Sequence, residues 1–248
     1  MKRIKGIILA GGMGTRLYPL TKVTNKHLLP VGDVPMIYHP IKRLVQAGIK
    51  DIMIVTGVEH CGSMMSLLGS GANHDCNFTY KVQDKPDGIA GALRLCENFV
   101  GNDSCVTLLG DNIFEENLRP HIKSFIESTD ECKLFFKNVS DPTRYGIGSF
   151  GYDGAGPKRH QTLVGIEEKP DNPKSNLACV GIYFYSNKVF EAIKDASLSP
   201  RGEYEITNIN NVFIEQGSCS FSILDGRWSD AGTMSSYHYT NLILNKEK

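Results

Sequence analysis

An α/β fold is predicted: a Rossmann-like, mostly parallel mixed sheet with helices on both faces. Three observations predict it. Strand-like apolar runs alternate with segments of helical spacing through the first half of the chain, which implies β-α-β units. The runs are almost continuously apolar, as in strands buried on both faces. Several end at glycine or polar residues, where sheets of this kind bind ligands beyond the carboxyl ends of their strands.

Lys5–Ala10 reads as the first strand. Met36, Ile37, Ile41, Leu44 and Val45 have near-helical spacing, with Gly48 as C-cap. Ile52–Thr56 is a strand, and Met64, Leu67 and Leu68 mark a short helix before Gly69. Phe78, Tyr80 and Val82 alternate as in a strand, Ile89–Phe99 reads as helix, and Cys105–Leu109 is an apolar strand ending at Gly110-Asp111. Further strands are expected over Lys133–Val139, Tyr145–Phe150, Leu163–Glu167 and Ala178–Tyr185. Tyr204–Gln216 is expected to be helical, with Ile206, Ile209 and Phe213 on one side. Ser235–Asn245 can form a last helix with Tyr239, Leu242 and Ile243 as its apolar face. One domain is expected, with a first part over residues 1–115, a second subregion over 116–233 and a C-terminal helix in 234–248.

Composition narrows the function. The 248 residues are 41% hydrophobic, enough for a sizeable core. Lys+Arg and Asp+Glu both total 27, so the chain lacks the basic excess of a nucleic-acid binder. No apolar run approaches the ~18 residues of a membrane helix, and the run after Lys2, Arg3 and Lys5 is too short for a signal peptide. Seven scattered cysteines without C-x-x-C fit free thiols in a reducing cytoplasm.

The most informative stretch is Gly6–Arg16, an apolar strand running into a loop with glycines at 11, 12 and 14. Glycine lets backbone approach a ligand closely and reaches positive φ without a Cβ penalty. Successive N–H groups in such a loop make an anion-binding concavity, and Arg16 adds a fixed charge with a fork suited to phosphate. The P-loop spacing is absent, and the dinucleotide fingerprint lacks its third small residue, since Gly12 leads to Gly-Met-Gly-Thr-Arg-Leu.

The run LAGGMGTRLYPLT…NKHLLPVGDVPMIYH resembles the signature of sugar-1-phosphate nucleotidyltransferases. The resemblance is greatest to the short glucose-1-phosphate thymidylyltransferases. It continues in order through VQDKPDGIA, LLGDNIF, DPTRYGIGSF, IEEKPDNPKSN, GIYFY, SPRGEYEIT and WSDAGT to about residue 233. It implies the nucleotidyltransferase fold and a reaction of dTTP, or UTP, with glucose 1-phosphate that releases pyrophosphate. The sugar phosphate is already an anionic nucleophile, so the reaction calls for cations, glycines and metal carboxylates rather than a nucleophilic side chain.

Mapped by motif, the resemblance puts Leu9, Gly11, Gly12, Gly14, Thr15, Arg16, Lys26 and His27 around the nucleotide, with Gln83 and Gly88 reading its base. Arg16 and Lys26 would offset charge at the α-phosphorus. Asp111 and Asp230 would hold Mg2+, which takes one or two carboxylates besides phosphate oxygens and waters. Lys169 would hold the sugar's phosphate, with Arg201 a second candidate; Asn112, Tyr145, Gly146, Glu168, Cys179 and Tyr183 would contact the sugar. A charged, solvated strand end is the plain alternative for Lys169, and a half-buried core aromatic for Tyr183.

Some positions depart from the family's pattern: His27 for a Gln, Cys179 for a Val, Val180 for a Thr. Ser229-Asp230-Ala231 replaces Leu-Asp-Thr, and Ala90-Gly91-Ala92 replaces Ala-Gln-Ala. None removes a metal carboxylate or a phosphate cation, but Cys179 and Val180 touch the sugar side. UTP or another hexose 1-phosphate is therefore the nearest alternative. A silent nucleotide-sugar sensor and a nicotinamide dehydrogenase are the other readings; the first would lack Asp111, Arg16 or Lys26, the second would carry the missing glycine. A homo-oligomer, dimer or tetramer, is expected. Only 18 residues follow Asp230, so feedback by a downstream nucleotide sugar such as dTDP-rhamnose is expected to be weak.

Overall fold

A computed structural model of the chain describes residues 3–154 and 160–245. In order they form β1 (Ile4–Ala10), β2 (Pro30–Val31), β3 (Val34–Pro35), α1 (Tyr38–Gln46), β4 (Asp51–Gly57), α2 (Cys61–Leu68), β5 (Asn77–Gln83), α3 (Ile89–Arg94), α4 (Glu97–Val100), β6 (Ser104–Leu109) and β7 (Asn112–Phe114). There follow α5 (Leu118–Glu127), β8 (Cys132–Asn138), β9 (Gly146–Asp153), β10 (His160–Glu168), β11 (Leu177–Tyr185), α6 (Val189–Lys194), α7 (Ile206–Glu215), β12 (Cys219–Ile223), β13 (Trp228–Asp230) and α8 (Met234–Asn245).

Nine of these strands form one mixed sheet. β5, β4, β1 and β6 lie side by side in parallel. β11 runs antiparallel to β6 and to β8, β12 runs parallel to β8, and the β9–β10 hairpin joins β11 where Ala178 faces Ile147. In β1, Ile7 and Leu9 enter the core on one face while Ile8 and Ala10 enter the other. That double burial is why the strand reads as an unbroken apolar run; each large side chain so buried contributes roughly 1.5–3 kcal/mol.

Register brings the chemistry to one edge. Leu9 pairs with Leu109 and Ala10 with Thr56, while Gln83 pairs with Gly57 at the ends of β5 and β4. Gly11, Gln83 and Asp111 therefore leave the sheet together. A second device is the β7–β13 ribbon, whose register sets Asp230 opposite Asn112.

Several expectations need correction. The helix expected over Ile89–Phe99 is two, because Leu95 and Cys96 donate three residues back to Ala92 and Leu93, tightening the chain between α3 and α4. Tyr204 is not helical: its N–H donates to Asp87 and its carbonyl accepts from Ala90, so it lies against the start of α3. Of the loop glycines only Gly14 has positive φ, at 66°. Between Leu109 and Lys133, where periodicity sets no expectation, the chain forms β7 and α5.

α8 turns a different face inward from the one expected. Tyr239 and Leu242 are exposed. Tyr237 donates to the Pro30 carbonyl, Thr240 meets Ser229, and Asn241 accepts from the Gly32 N–H. Residues 246–248, included in the expected terminal helix, lie outside the described residues.

Candidate active site

Two cavities adjoin at the carboxyl edge of the parallel strands, one of about 310 Å³ and the other of about 210 Å³. Arg16 and Asp111 border both. The larger is lined by Leu9, Gly11, Gly12, Lys26, His27, Gln83 and Gly88. Gly14 and Thr15 do not line it. Gly14 instead shapes the turn behind it, accepting from the Thr21 hydroxyl at 2.7 Å, and a Cβ there would stand 3.2 Å from the Lys26 Cβ.

Lys26 Nζ donates to Asp111 Oδ2 at 2.5 Å. Burial opposes the Asp111 charge, but the Lys26 ammonium and the Asn112 amide together hold its carboxyl far below the usual carboxylate range. His27, behind this pair, is buried and pushed down to about 3, first by burial and then by Lys26. Its Nδ1 lies 2.7 Å from Asn25 Oδ1, which also accepts from its backbone N–H, while Asn25 Nδ2 donates to the Ala10 carbonyl. A neutral His27 thus wedges Lys26 into place between the ends of β1 and β6. It packs so closely on Gly110 that a Cβ there would come within 2.6 Å of the ring.

The smaller cavity is bordered by Asn112, Tyr145, Gly146, Glu168, Lys169, Cys179, Tyr183, Arg201 and Asp230. Their environments differ from simple sugar contacts. Asn112 is buried and three of its four amide positions are taken: Oδ1 accepts from the Gly181 N–H at 3.0 Å and the Trp228 indole at 2.8 Å, and Nδ2 donates to Asp111 Oδ1 at 3.1 Å. In this arrangement it orients Asp111. Tyr145 donates to Asp230 Oδ1 at 3.0 Å, so its hydroxyl serves the carboxylate. Burial, then the charge of Asp230, pushes the Tyr145 phenol up. Arg201 is clasped by Glu205 at 2.7 Å, with Glu168 at 3.5 Å and Glu203 at 3.7 Å. Three carboxylates already answer its charge, which weakens its case as a phosphate ligand.

Lys169 stands differently. Its Nζ is 3.6 Å from Glu168 Oε1, its side chain is 47% exposed, and its backbone has φ 46°. A non-glycine residue in the left-handed region stores strain, and such residues gather at functional sites. Glu168 is held by the Thr207 hydroxyl at 2.6 Å. Tyr183 is almost wholly buried and stacks on Tyr185 at 6.1 Å, so it is a wall of the cavity. Burial pushes the Cys179 thiol up, leaving it a neutral wall group.

Asp230 is raised by burial and by Asp111, against the pull of Arg144, whose Nη2 lies 3.2 Å away. A Cβ on Gly232 would lie 3.0 Å from Asp111 Oδ2, 3.9 Å from Asp230 Oδ2 and 3.4 Å from Arg16 Nη2. Two carboxylates that raise each other's cost, gathered around one small space, are an oxygen donor set suited to a hard divalent ion. The residues present fit Mg2+.

Arg144, Trp228, Thr207 and Asp87 belong to this site although motif reading passes over them. Arg144 and Trp228 sit inside the quoted strings DPTRYGIGSF and WSDAGT, which was the available signal. Asp87 and Thr207 likewise sit inside VQDKPDGIA and SPRGEYEIT, but their partners, the Gln83 amide and the Glu168 carboxylate, are set by the fold.

Comparison with known proteins accords with this arrangement. The nucleotidyl transferase family matches residues 5–247. A glucose-1-phosphate thymidylyltransferase of Neisseria meningitidis serogroup A is 44% identical over 239 residues, 95% of this chain and 80% of the relative. One from Mycobacterium tuberculosis is 43% identical over 94% of this chain and 79% of its own. A provisionally assigned glucose-1-phosphate thymidylyltransferase of Bacillus anthracis, crystallised with sucrose, is 50% identical with TM-score 0.90 and covers 97% of this chain and 95% of that one. A UDP-glucose pyrophosphorylase with UDP-glucose, 22% identical with TM-score 0.85 over 99% of this chain and all of that one, shares the fold. With a match that runs nearly end to end and cavities that meet where phosphoryl chemistry needs charge, the chain belongs to the nucleotidyl transferase family and is a nucleotidyltransferase.

Proposed function

We propose that the protein transfers a thymidylyl group from dTTP to glucose 1-phosphate, giving dTDP-glucose and pyrophosphate. The observation that carries the reading is the meeting of the two cavities at Arg16 and Asp111, in a chain whose relatives at 43–44% identity bear that enzyme's name.

The nucleotide lies in the larger cavity with its triphosphate toward Gly11, Gly12, Arg16 and Lys26. The sugar phosphate enters the smaller, its phosphate on Lys169. A phosphate oxygen of the sugar attacks the α-phosphorus in line, the bond to the β-phosphate's bridging oxygen breaks, and pyrophosphate leaves. Lys26 and Arg16 offset charge on the transferring group, worth several kcal/mol when preorganised in a site shielded from water. Mg2+ held by Asp111 and Asp230 would supply further charge neutralisation. Gln83 pairs with the base and Gly88 lets backbone approach it. The free cysteines support a reducing, cytoplasmic setting, and a homo-oligomer is the proposed assembly.

The test is pyrophosphate release over a grid of nucleoside triphosphates and sugar 1-phosphates, with and without EDTA. dTTP with glucose 1-phosphate is expected to lead, with loss of turnover on chelation and a drop of about 10²-fold or more in Asp111→Asn. UTP leading would keep the reaction and change the nucleotide, since a methyl discriminates by only ~1–3 kcal/mol. Turnover of Asp111→Asn within a few-fold of wild type would defeat the metal assignment.

A further inference from the structure

Asp87 has no part in the chemistry described so far, yet its carboxylate is held against the side chain proposed to read the base. Gln83 Nε2 donates to Asp87 Oδ1 at 2.8 Å and faces the Gly88 carbonyl at 3.5 Å. Gln83 Oε1 points the other way, toward Gly11, where a Cβ would stand 2.7 Å from it. A carboxylate and a carbonyl only accept hydrogen bonds, so the amide nitrogen must face them. Turning the amide over would set its oxygen against both.

Asp87 is itself held. Arg94 Nη2 is 3.7 Å from its Oδ2, the Arg94 guanidinium lies over the Tyr204 ring at 5.0 Å, and the Asp87 carbonyl accepts from the Tyr204 N–H. The carboxylate occupies the space that a side chain at 91 would fill: a Cβ on Gly91 would come within 2.2 Å of Asp87 Oδ1. Gly91 is interior to α3, where glycine costs about 1 kcal/mol relative to alanine and its backbone is ordinary helix. The clash falls on the end of one side chain, not on backbone, so this glycine accommodates that carboxylate pose.

We propose that Asp87, admitted by Gly91, is a positioning residue that fixes the orientation of the Gln83 amide and thereby selects an imide pyrimidine, thymine or uracil, over cytosine. An imide edge presents an N3–H donor beside an O4 acceptor; cytosine presents an N3 acceptor beside an amino donor. An amide free to turn over serves either edge. With its nitrogen on the Asp87 side, Gln83 offers an acceptor to N3–H, and the hydrogen it extends only at 3.5 Å to the Gly88 carbonyl is the one it gives to O4. The cytosine edge then meets acceptor on acceptor. The inference rests on Gln83 as base reader in the reading above.

The experiment compares dTTP with dCTP, as kcat/KM or as the competitive inhibition constant of dCTP, in wild type, Asp87→Asn, Gly91→Ala and Gln83→Ala. Asp87→Asn keeps the shape but offers either an oxygen or a nitrogen to Gln83. The dTTP:dCTP preference is expected to fall about 10- to 100-fold in Asp87→Asn. It should also fall in Gly91→Ala, which displaces the carboxylate while favouring the helix. The KM for glucose 1-phosphate should stay within about twofold. A merely structural role would lower both nucleotides together and leave their ratio alone. An unchanged ratio in both variants, with the ratio collapsed in Gln83→Ala, overturns the positioning role and keeps Gln83 as reader. An unchanged ratio in Gln83→Ala as well overturns both.

Discussion

Lys169 is the residue in which conformation and chemistry pull apart. At φ 46° a lysine is strained by about 1 kcal/mol or more, and glycine would not be. Its N–H donates to the Tyr145 carbonyl at 3.0 Å, which keeps the backbone in place whatever the side chain. Lys169→Gly is therefore expected to leave the midpoint of urea unfolding unchanged or raised, while kcat/KM for glucose 1-phosphate falls about 10²-fold and dTTP affinity holds. A destabilised variant with normal sugar-phosphate kinetics would make Lys169 a solvated strand end. The resemblance alone made this lysine legible in sequence, because a charged residue at a strand end is ordinarily surface. Its positive φ was not legible; it follows from how β10 ends beside Tyr145.

At the scale of elements, the β7–β13 ribbon is what joins the two carboxylates. Three residues a side are too few for periodicity to announce, and the strands are more than a hundred residues apart in sequence. β1, β4 and β6 were legible because burial on both faces leaves unbroken apolar runs. The ribbon, the break between α3 and α4, and the inward face of α8 were not, because each depends on a partner brought from elsewhere. In α8 the inward residues include Thr240 and Asn241, polar side chains whose partners are Ser229 and Gly32, so apolar spacing pointed to the wrong side. The cations and carboxylates of the site could be read from their strings, whereas Arg144 on Asp230 and Trp228 on Asn112 could not. The Trp228 indole tests the ribbon. Trp228→Phe keeps the ring and removes the donor to Asn112, loosening Asp111; kcat is expected to fall about tenfold with dTTP binding nearly unchanged by calorimetry. A change confined to nucleotide binding would detach the ribbon from the chemistry.

For the whole molecule, His27 sets a limit on the acid side. It is buried neutral with its pKa pushed down to about 3, so the unfolded chain takes up its proton from about pH 6.5 downward while the folded chain refuses it. Stability from this group is full above pH 6.5 and is lost as pH falls toward 3, at up to about 1.4 kcal/mol per unit. Asp111 acts in the same sense but at lower pH: its lowered carboxyl keeps its ion pair through that range, and its contribution is lost only as pH falls below the ordinary carboxylate value. Chemical denaturation at pH 7, 6 and 5 should show a shallower loss in His27→Gln than in wild type. Equal slopes would mean that the imidazole is solvated in the native state.

The Glu115 N–H donates to the Arg227 carbonyl at 3.1 Å, and Arg227 Nε donates to Glu115 Oε1 at 2.7 Å. The chain thus leaves at 115 and returns at 227 to nearly the same point, clamped by a two-stranded ribbon. Everything between is an excursion hung from a closed loop. Lys169, Cys179 and Tyr183, which border the smaller cavity, lie within that excursion, while Arg16, Lys26, Asp111 and Asp230 are held outside. Substitutions within it that spare Arg144, Tyr145 and Gly181, which reach back to Asp230 and Asn112, are expected to redraw the acceptor without disturbing the transfer machinery. One scaffold can in this way be diversified toward new partners while its reaction is inherited intact.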